Sequence, residues 1–69
     1  MEDLEKGRYR HFKGNLYELL YIAKNSETLE KMVVYRALYG DNEIWVRPIE
    51  MWNEEVEVNG KKVKRFVKI

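Results

Sequence analysis

Asn15-Leu16-Tyr17-Glu18-Leu19-Leu20-Tyr21-Ile22-Ala23-Lys24 is the stretch whose conformation separates a helical protein from a β protein. Read with a helical period, Leu16, Leu19, Leu20 and Ala23 fit the i, i+3, i+4, i+7 template, and Asn15 with Glu18 imitates a capping pair. Read as a strand, Tyr17, Leu19 and Tyr21 share one face while Leu16, Leu20 and Ile22 share the other. Both faces are then partly apolar, which a strand bent around a small barrel tolerates. Ser26 to Gly40 repeats the ambiguity: Leu29, Met32, Val33 and Ala37 line one helical face, with Gly40 where a C′ residue would sit. Against a helix, Met32-Val33-Val34-Tyr35 concentrates β-branched and aromatic residues, which favour a pleated surface. Periodicity alone leaves the two readings even.

Outward from there the strand signals strengthen. Glu43 to Arg47 alternates Ile44 and Val46 around Trp45, and Pro48 denies the next backbone donor. Glu55-Val56-Glu57-Val58, then Asn59-Gly60, then Lys61 to Ile69 reads as a hairpin, because Asn-Gly accepts the positive φ angles of a type I′ turn. Acidic residues on the first arm face basic residues on the second, which favours antiparallel pairing. Turn signals recur at Lys13-Gly14-Asn15, Asn25-Ser26, Gly40-Asp41-Asn42, Arg47-Pro48 and Asn59-Gly60, the spacing of a small all-β domain.

The chain has 69 residues, 13 Lys+Arg against 12 Asp+Glu, one His, one Pro and no Cys. One domain is the ceiling at that length. Such a chain buries roughly 60% of its unfolded surface. A core that small supplies about 3–5 kcal/mol, and no disulfide adds to it. Hydrophobic residues at 45% with a formal charge of +1 exclude intrinsic disorder. No apolar run approaches the ~20 residues of a membrane span, and the start Met-Glu-Asp-Leu-Glu-Lys lacks the basic and apolar segments of a signal peptide. A cytoplasmic protein is expected, with residues 1–6 as a flexible leader and residues 7–69 as the folded domain. A pI near 7.9 argues against a strong nonspecific nucleic-acid binder.

The string Gly7-Arg8-Tyr9-Arg10-His11-Phe12-Lys13-Gly14-Asn15, then Ser26-Glu27-Thr28, then Val33-Val34-Tyr35-Arg36-Ala37-Leu38-Tyr39-Gly40 resembles the DUF1653 family of small bacterial domains of unknown function. Trp45-Val46-Arg47-Pro48, Met51-Trp52 and Arg65-Phe66 continue the likeness in order along nearly the whole chain. The chain departs from the family where it has Asn25 instead of a frequent His, and Lys64 instead of a Pro. The resemblance implies a small SH3-like barrel of about five bent antiparallel strands, and it tips the even reading of residues 15–40 towards strands. It carries no established activity.

Candidate functional residues follow from chemistry. His11 is the sole side chain whose ordinary pKa lies near neutrality. It is either a general base or ligand-binding group near Glu27, or a strand residue bonded locally. One His forms no His-rich metal site, and the four scattered glycines match neither dinucleotide nor P-loop spacing, so no metal or cofactor is expected. Ser26 and Glu27 lie in a turn, where Asn25, Ser26 and Thr28 either bind a small polar ligand or satisfy their own backbone. Trp45, Arg47 and Trp52, with Arg65, read as an aromatic and arginine groove for peptides or stacked bases. The plainer alternative puts at least one Trp in the core. The lysines of residues 61–68 form a basic edge that deters sheet-to-sheet association or makes a weak nucleic-acid contact.

The reading is a binding or interaction module, with Tyr9, His11, Ser26, Glu27, Trp45, Arg47, Trp52 and Arg65 as candidate ligand contacts. The expected partner is a peptide, a single-stranded nucleic acid or a small polar metabolite, bound by a monomer or weak homodimer. Two alternatives stand beside it: a small enzyme or metabolite-binding protein using His11, Glu27 and an arginine, and a homo-oligomeric structural unit.

Overall fold

The computed structural model describes residues 4–69. Residues 1–3 of the expected leader lie outside the described residues. Leu4 packs against the core, the Glu5 carbonyl accepts a hydrogen bond from the Tyr9 hydroxyl at 2.7 Å, and the Lys6 ammonium sits 4.9 Å from the Tyr21 ring centroid.

The chain runs β1 (Gly7–His11), β2 (Leu16–Lys24), β3 (Lys31–Ala37), β4 (Ile44–Pro48), α1 (Ile49–Trp52), β5 (Glu55–Val58), β6 (Lys61–Lys64) and β7 (Phe66–Lys68). Five strands form one antiparallel sheet in the order β4-β3-β2-β1-β7, and β5 with β6 forms the expected hairpin. The protein is therefore all-β but for one turn of helix, and it has more and shorter strands than expected. The ladder ends at β4 and β7, so strand pairing does not close it into the expected barrel.

Leu16–Lys24 is a strand, and its helical look has a physical origin. Leu19 faces Tyr35 and Tyr21 faces Val34, leaving Leu20 as an extra, bulged residue. Before the bulge Tyr17 and Leu19 lie on the inner face, opposite buried Ala37 and Tyr35; beyond it Ile22 faces the fully buried Val33. The inward set thus switches from odd to even numbers at Leu20, and a strand that changes parity midway imitates a 3.6-residue period. Lys31–Ala37 has no such break: Val33, Tyr35 and Ala37 are buried in strict alternation.

The turns are built as their residues dictate. Asn59 (φ 53°) and Gly60 (φ 79°) both adopt the left-handed region, and the hairpin pairs Glu55 with Lys64 and Glu57 with Lys62. The Asn25 carboxamide oxygen accepts the N–H groups of Glu27 (2.8 Å) and Thr28 (3.3 Å).

Pro48 ends β4 with φ −57° and ψ 142° and redirects the chain into α1. One helical turn carries Ile49 and Trp52, three residues apart, onto the inner face of β3 and β4. The core is Tyr9, Leu19, Val33, Tyr35, Ile49, Trp52 and Phe66. Trp52 lies flat on Phe66, with centroids 3.7 Å apart and planes at 3°, while Tyr9 and Tyr35 meet Trp52 edge-on at 5.3 and 5.1 Å. The two ends of the sheet are thus joined by rings where backbone pairing does not join them.

Candidate functional site

The rim of this aromatic core gathers the chain's polar chemistry. Arg47 is on β4 opposite Val33, so its side chain is on the inner face. Its Nε donates to the Tyr35 hydroxyl at 3.3 Å, and its guanidinium carbon stands 5.9 Å from the Tyr35 centroid and 5.6 Å from the Phe66 centroid. Both separations are within cation–π range. Since Phe66 is on β7, Arg47 spans the gap between the two terminal strands. Among the described residues no carboxylate lies within 4.0 Å of it, whereas Arg36 meets Glu18 at 3.9 Å and Arg65 meets Glu54 at 2.8 Å.

His11 faces Phe66 across the β1–β7 ladder, with ring centroids 5.0 Å apart. Burial lowers its pKa below the usual imidazole value, and the positive charges of Arg65, Arg47 and Lys13 lower it further. The Lys13 N–H donates to Nδ1 at 3.2 Å. The ring is then neutral at pH 7 with its proton on Nε2, a donor. Three cations bearing on one neutral imidazole make this end of the inner face electropositive.

Two tyrosines complete the rim. The Tyr17 and Tyr39 hydroxyls share a hydrogen bond of 2.8 Å. Burial and that bond push Tyr17 up to about 12, so it stays protonated. Trp45 lies two residues before Arg47 on the same face of β4 and is 52% exposed. A large exposed ring on the inner face is an available stacking surface.

The other expected site residues are placed differently. Tyr9 and Trp52 are core residues, 5% and 1% exposed, and offer no surface to a partner. Burial raises the Tyr9 pKa, the Glu5 carboxylate adds to the rise, and its hydroxyl bonds inside the chain. The Trp52 indole N–H is buried without a hydrogen-bond partner among the described residues, as is the Arg65 Nε. Ser26 and Glu27 are exposed in the β2–β3 turn. His11 is at the opposite end of β2, whose nine residues extend about 25–30 Å. The structure therefore brings His11, Arg47 and Arg65 together with Phe66, Tyr17 and Tyr35, and keeps Glu27 away. Sequence reading missed Tyr17, Tyr35 and Tyr39; tyrosines on the paired strands β2 and β3, with a third just past the end of β3, are the signal for them.

Two hollows adjoin these residues. One of about 350 Å³ is bounded by Arg10, His11, Phe12, Val58, Val63 and Ile69 among others; another of about 570 Å³ is bounded by Leu4, Tyr9, Trp52, Lys64, Phe66 and Lys68 among others. Among the described residues no group of three or more His, Asp or Glu is placed to hold a metal, and no helix is long and apolar enough to cross a membrane.

A family profile described as "Protein of unknown function (DUF1653)" matches residues 7–68. The chain is also similar to a crystal structure of a DUF1653 protein from Bordetella bronchiseptica, with a TM-score of 0.88 and 36% sequence identity over 97% of this chain and 88% of that one. None of the curated proteins matches.

Proposed function

The chain belongs to the DUF1653 family, which is described as having unknown function, and from that premise we propose that it is a small binding module for an anionic ligand. The ligand class is a phosphate or carboxylate carried beside a flat ring, as in a nucleotide unit, free or in a single strand. The observation that supports this reading is Arg47: a half-buried guanidinium framed by Tyr35 and Phe66, with no carboxylate within 4.0 Å among the described residues. Its charge would be met by a ligand, with His11 Nε2–H and Arg65 as further donors and Trp45 as the stacking ring. The scaffold of this reading is an open, SH3-like bent sheet over residues 7–69, in a cytoplasmic protein.

The test is an NMR titration with inorganic phosphate, a mononucleotide and a short single-stranded RNA in separate arms. The expected result is shifts at the His11 ring and, for the ring-bearing ligands, at the Trp45 indole, all lost in Arg47→Gln. Shifts that persist in Arg47→Gln, or silence from all three probes, would overturn the assignment. RNA binding without mononucleotide binding would identify a strand, not a single unit, as the ligand.

A further inference from the structure

Strand β4 is an open edge of unusual composition. Ile44, Trp45 and Val46 are 55%, 52% and 59% exposed, three consecutive large apolar residues at the end of the sheet. Edge strands are ordinarily guarded by charge, by bulges or by brevity. Here the strand is five residues long, and its charge and its proline, Arg47 and Pro48, stand at its end, leaving Ile44 to Val46 without either.

The hydrogen-bonding parity of this edge is fixed. The Ala37 N–H donates to the Glu43 carbonyl at 2.9 Å, and Tyr35 and Val33 face Trp45 and Arg47. In an antiparallel ladder hydrogen-bonded pairs alternate, so Glu43, Trp45 and Arg47 direct their backbone groups to β3. Ile44 and Val46 direct theirs outward, each with one N–H and one C=O unclaimed by the ladder.

We infer that this edge pairs with the same edge of a second copy, about a two-fold axis at Trp45. Setting Ile44 opposite Val46 of the second copy, and Val46 opposite Ile44, uses all the outward groups of both edges. Trp45 then faces Trp45. The flanking charges meet as opposites, since the same register sets Glu43 against Arg47 of the second copy, twice. Glu43 is exposed and in no ion pair among the described residues, and Arg47 lacks a carboxylate there. Sliding the register by two residues either way loses both charge pairs, and in one direction it sets Ile44 against Pro48, which has no N–H. Asn42 is not free to extend the ladder, because its N–H already donates to the Tyr39 carbonyl at 3.1 Å. The outer face agrees: Val46 pairs with Val34, which pairs with the 61% exposed Tyr21, so the apolar row of one copy continues into Ile44 of the other.

So short an edge buries far less than the ~1,600 Å² of a standard interface, and the dimer is weak, with a dissociation constant on the order of 100 µM or above. Its test is NMR relaxation and amide shifts over a concentration series spanning about two decades. Tumbling slows as concentration rises, with shifts at Ile44 and Val46 and none at Phe66 and Lys68 on the other edge. Val46→Pro removes an outward N–H without cutting a bond to β3, and it abolishes the concentration dependence while the remaining spectrum stays dispersed. Because the chain has no cysteine, a thiol at a single site reports the register independently. Under mild oxidation Trp45→Cys forms a covalent dimer at least about tenfold faster than Val67→Cys, because directly opposed residues of a non-hydrogen-bonded pair suit a disulfide. Concentration-independent tumbling throughout the series, dimer shifts mapping to β7, or equal oxidation rates for the two thiols would each overturn the inference.

Discussion

Trp52 separates two contributions to stability that usually act together. It is 1% exposed, stacked on Phe66 at 3.7 Å, and carries a buried N–H with no partner among the described residues. Trp52→Ala removes the stack and two edge contacts, and such truncations cost about 3–5 kcal/mol. A domain of this size has about that much stability in all, so this variant is half unfolded or worse at 25 °C. Trp52→Phe keeps a ring over Phe66. It loses the fused five-membered ring, at about 1–2 kcal/mol of burial and packing. It also removes an unsatisfied buried donor, worth about 1–3 kcal/mol in the other direction. The two nearly offset, and Trp52→Phe is expected within about 1 kcal/mol of the parent. In urea melts followed by circular dichroism, with a slope of about 1 kcal/mol/M, that is a midpoint shift of no more than ~1 M. A Phe variant as damaged as the Ala variant would refute the reasoning, because it would mean that the indole N–H has a partner.

Other predictions follow from charge and backbone geometry. Because the folded pKa of His11 lies below the unfolded value of 6.5, the unfolded chain binds more protons in the window between them. Stability therefore falls as pH drops from about 6.5 towards the folded pKa and is unaffected by His11 above about 6.5, a trend that His11→Gln should erase from pH-dependent melts. Phosphate binding has the opposite trend: a bound anion raises the His11 pKa, so affinity increases as pH falls through that range. Leu29 holds φ 62° while 69% exposed, so Leu29→Gly relieves left-handed strain without losing packing and stabilises by up to about 1 kcal/mol, whereas Gly60→Ala at φ 79° costs about 1–2 kcal/mol; both read out as melting shifts. Glu54→Gln frees Arg65 from its 2.8 Å partner and should tighten phosphate binding several-fold, at some cost in stability because the Arg65 side chain is only 23% exposed.

What could be read from the residues was what local chemistry dictates. Asn59-Gly60 forms its turn because only such residues accept two positive φ angles in succession, and Asn25 organises its own turn. Leu16–Lys24 resisted reading because the bulge at Leu20 changes which parity faces inward, and no local signal separates that from a helical period. Ile49–Trp52 was invisible for a different reason: a single turn has too few residues for a pattern, and it forms because Pro48 ends β4 and Trp52 gains a stack on Phe66. The site divides the same way. Arg47, Arg65 and His11 were marked by residue type. Their convergence depends on the curl that brings β4 towards β7, which is a property of the sheet and not of any segment. Glu27 was attached to them by chemistry alone, and the length of β2 separates it.

Arg47 has two suitors, an anionic ligand on the inner face and Glu43 of a second copy at the edge. The two compete, because one guanidinium cannot be fully paired with each. Linkage then requires each bound phosphate to weaken the dimer by the same factor that dimerisation weakens phosphate binding at that site. An ion pair at an exposed edge is worth up to about 1 kcal/mol, so the factor is up to about fivefold. Two observations would expose it in one experiment. The phosphate affinity measured at high protein concentration should be weaker than at low concentration, and Glu43→Gln should remove that difference without changing the affinity of the dilute protein. Equal affinities at both concentrations, in a protein shown to dimerise through β4, would mean that the guanidinium stays turned to Tyr35 and Phe66 in the dimer. The charge pair would then contribute nothing to the choice of register, which the backbone groups of Ile44 and Val46 would fix alone.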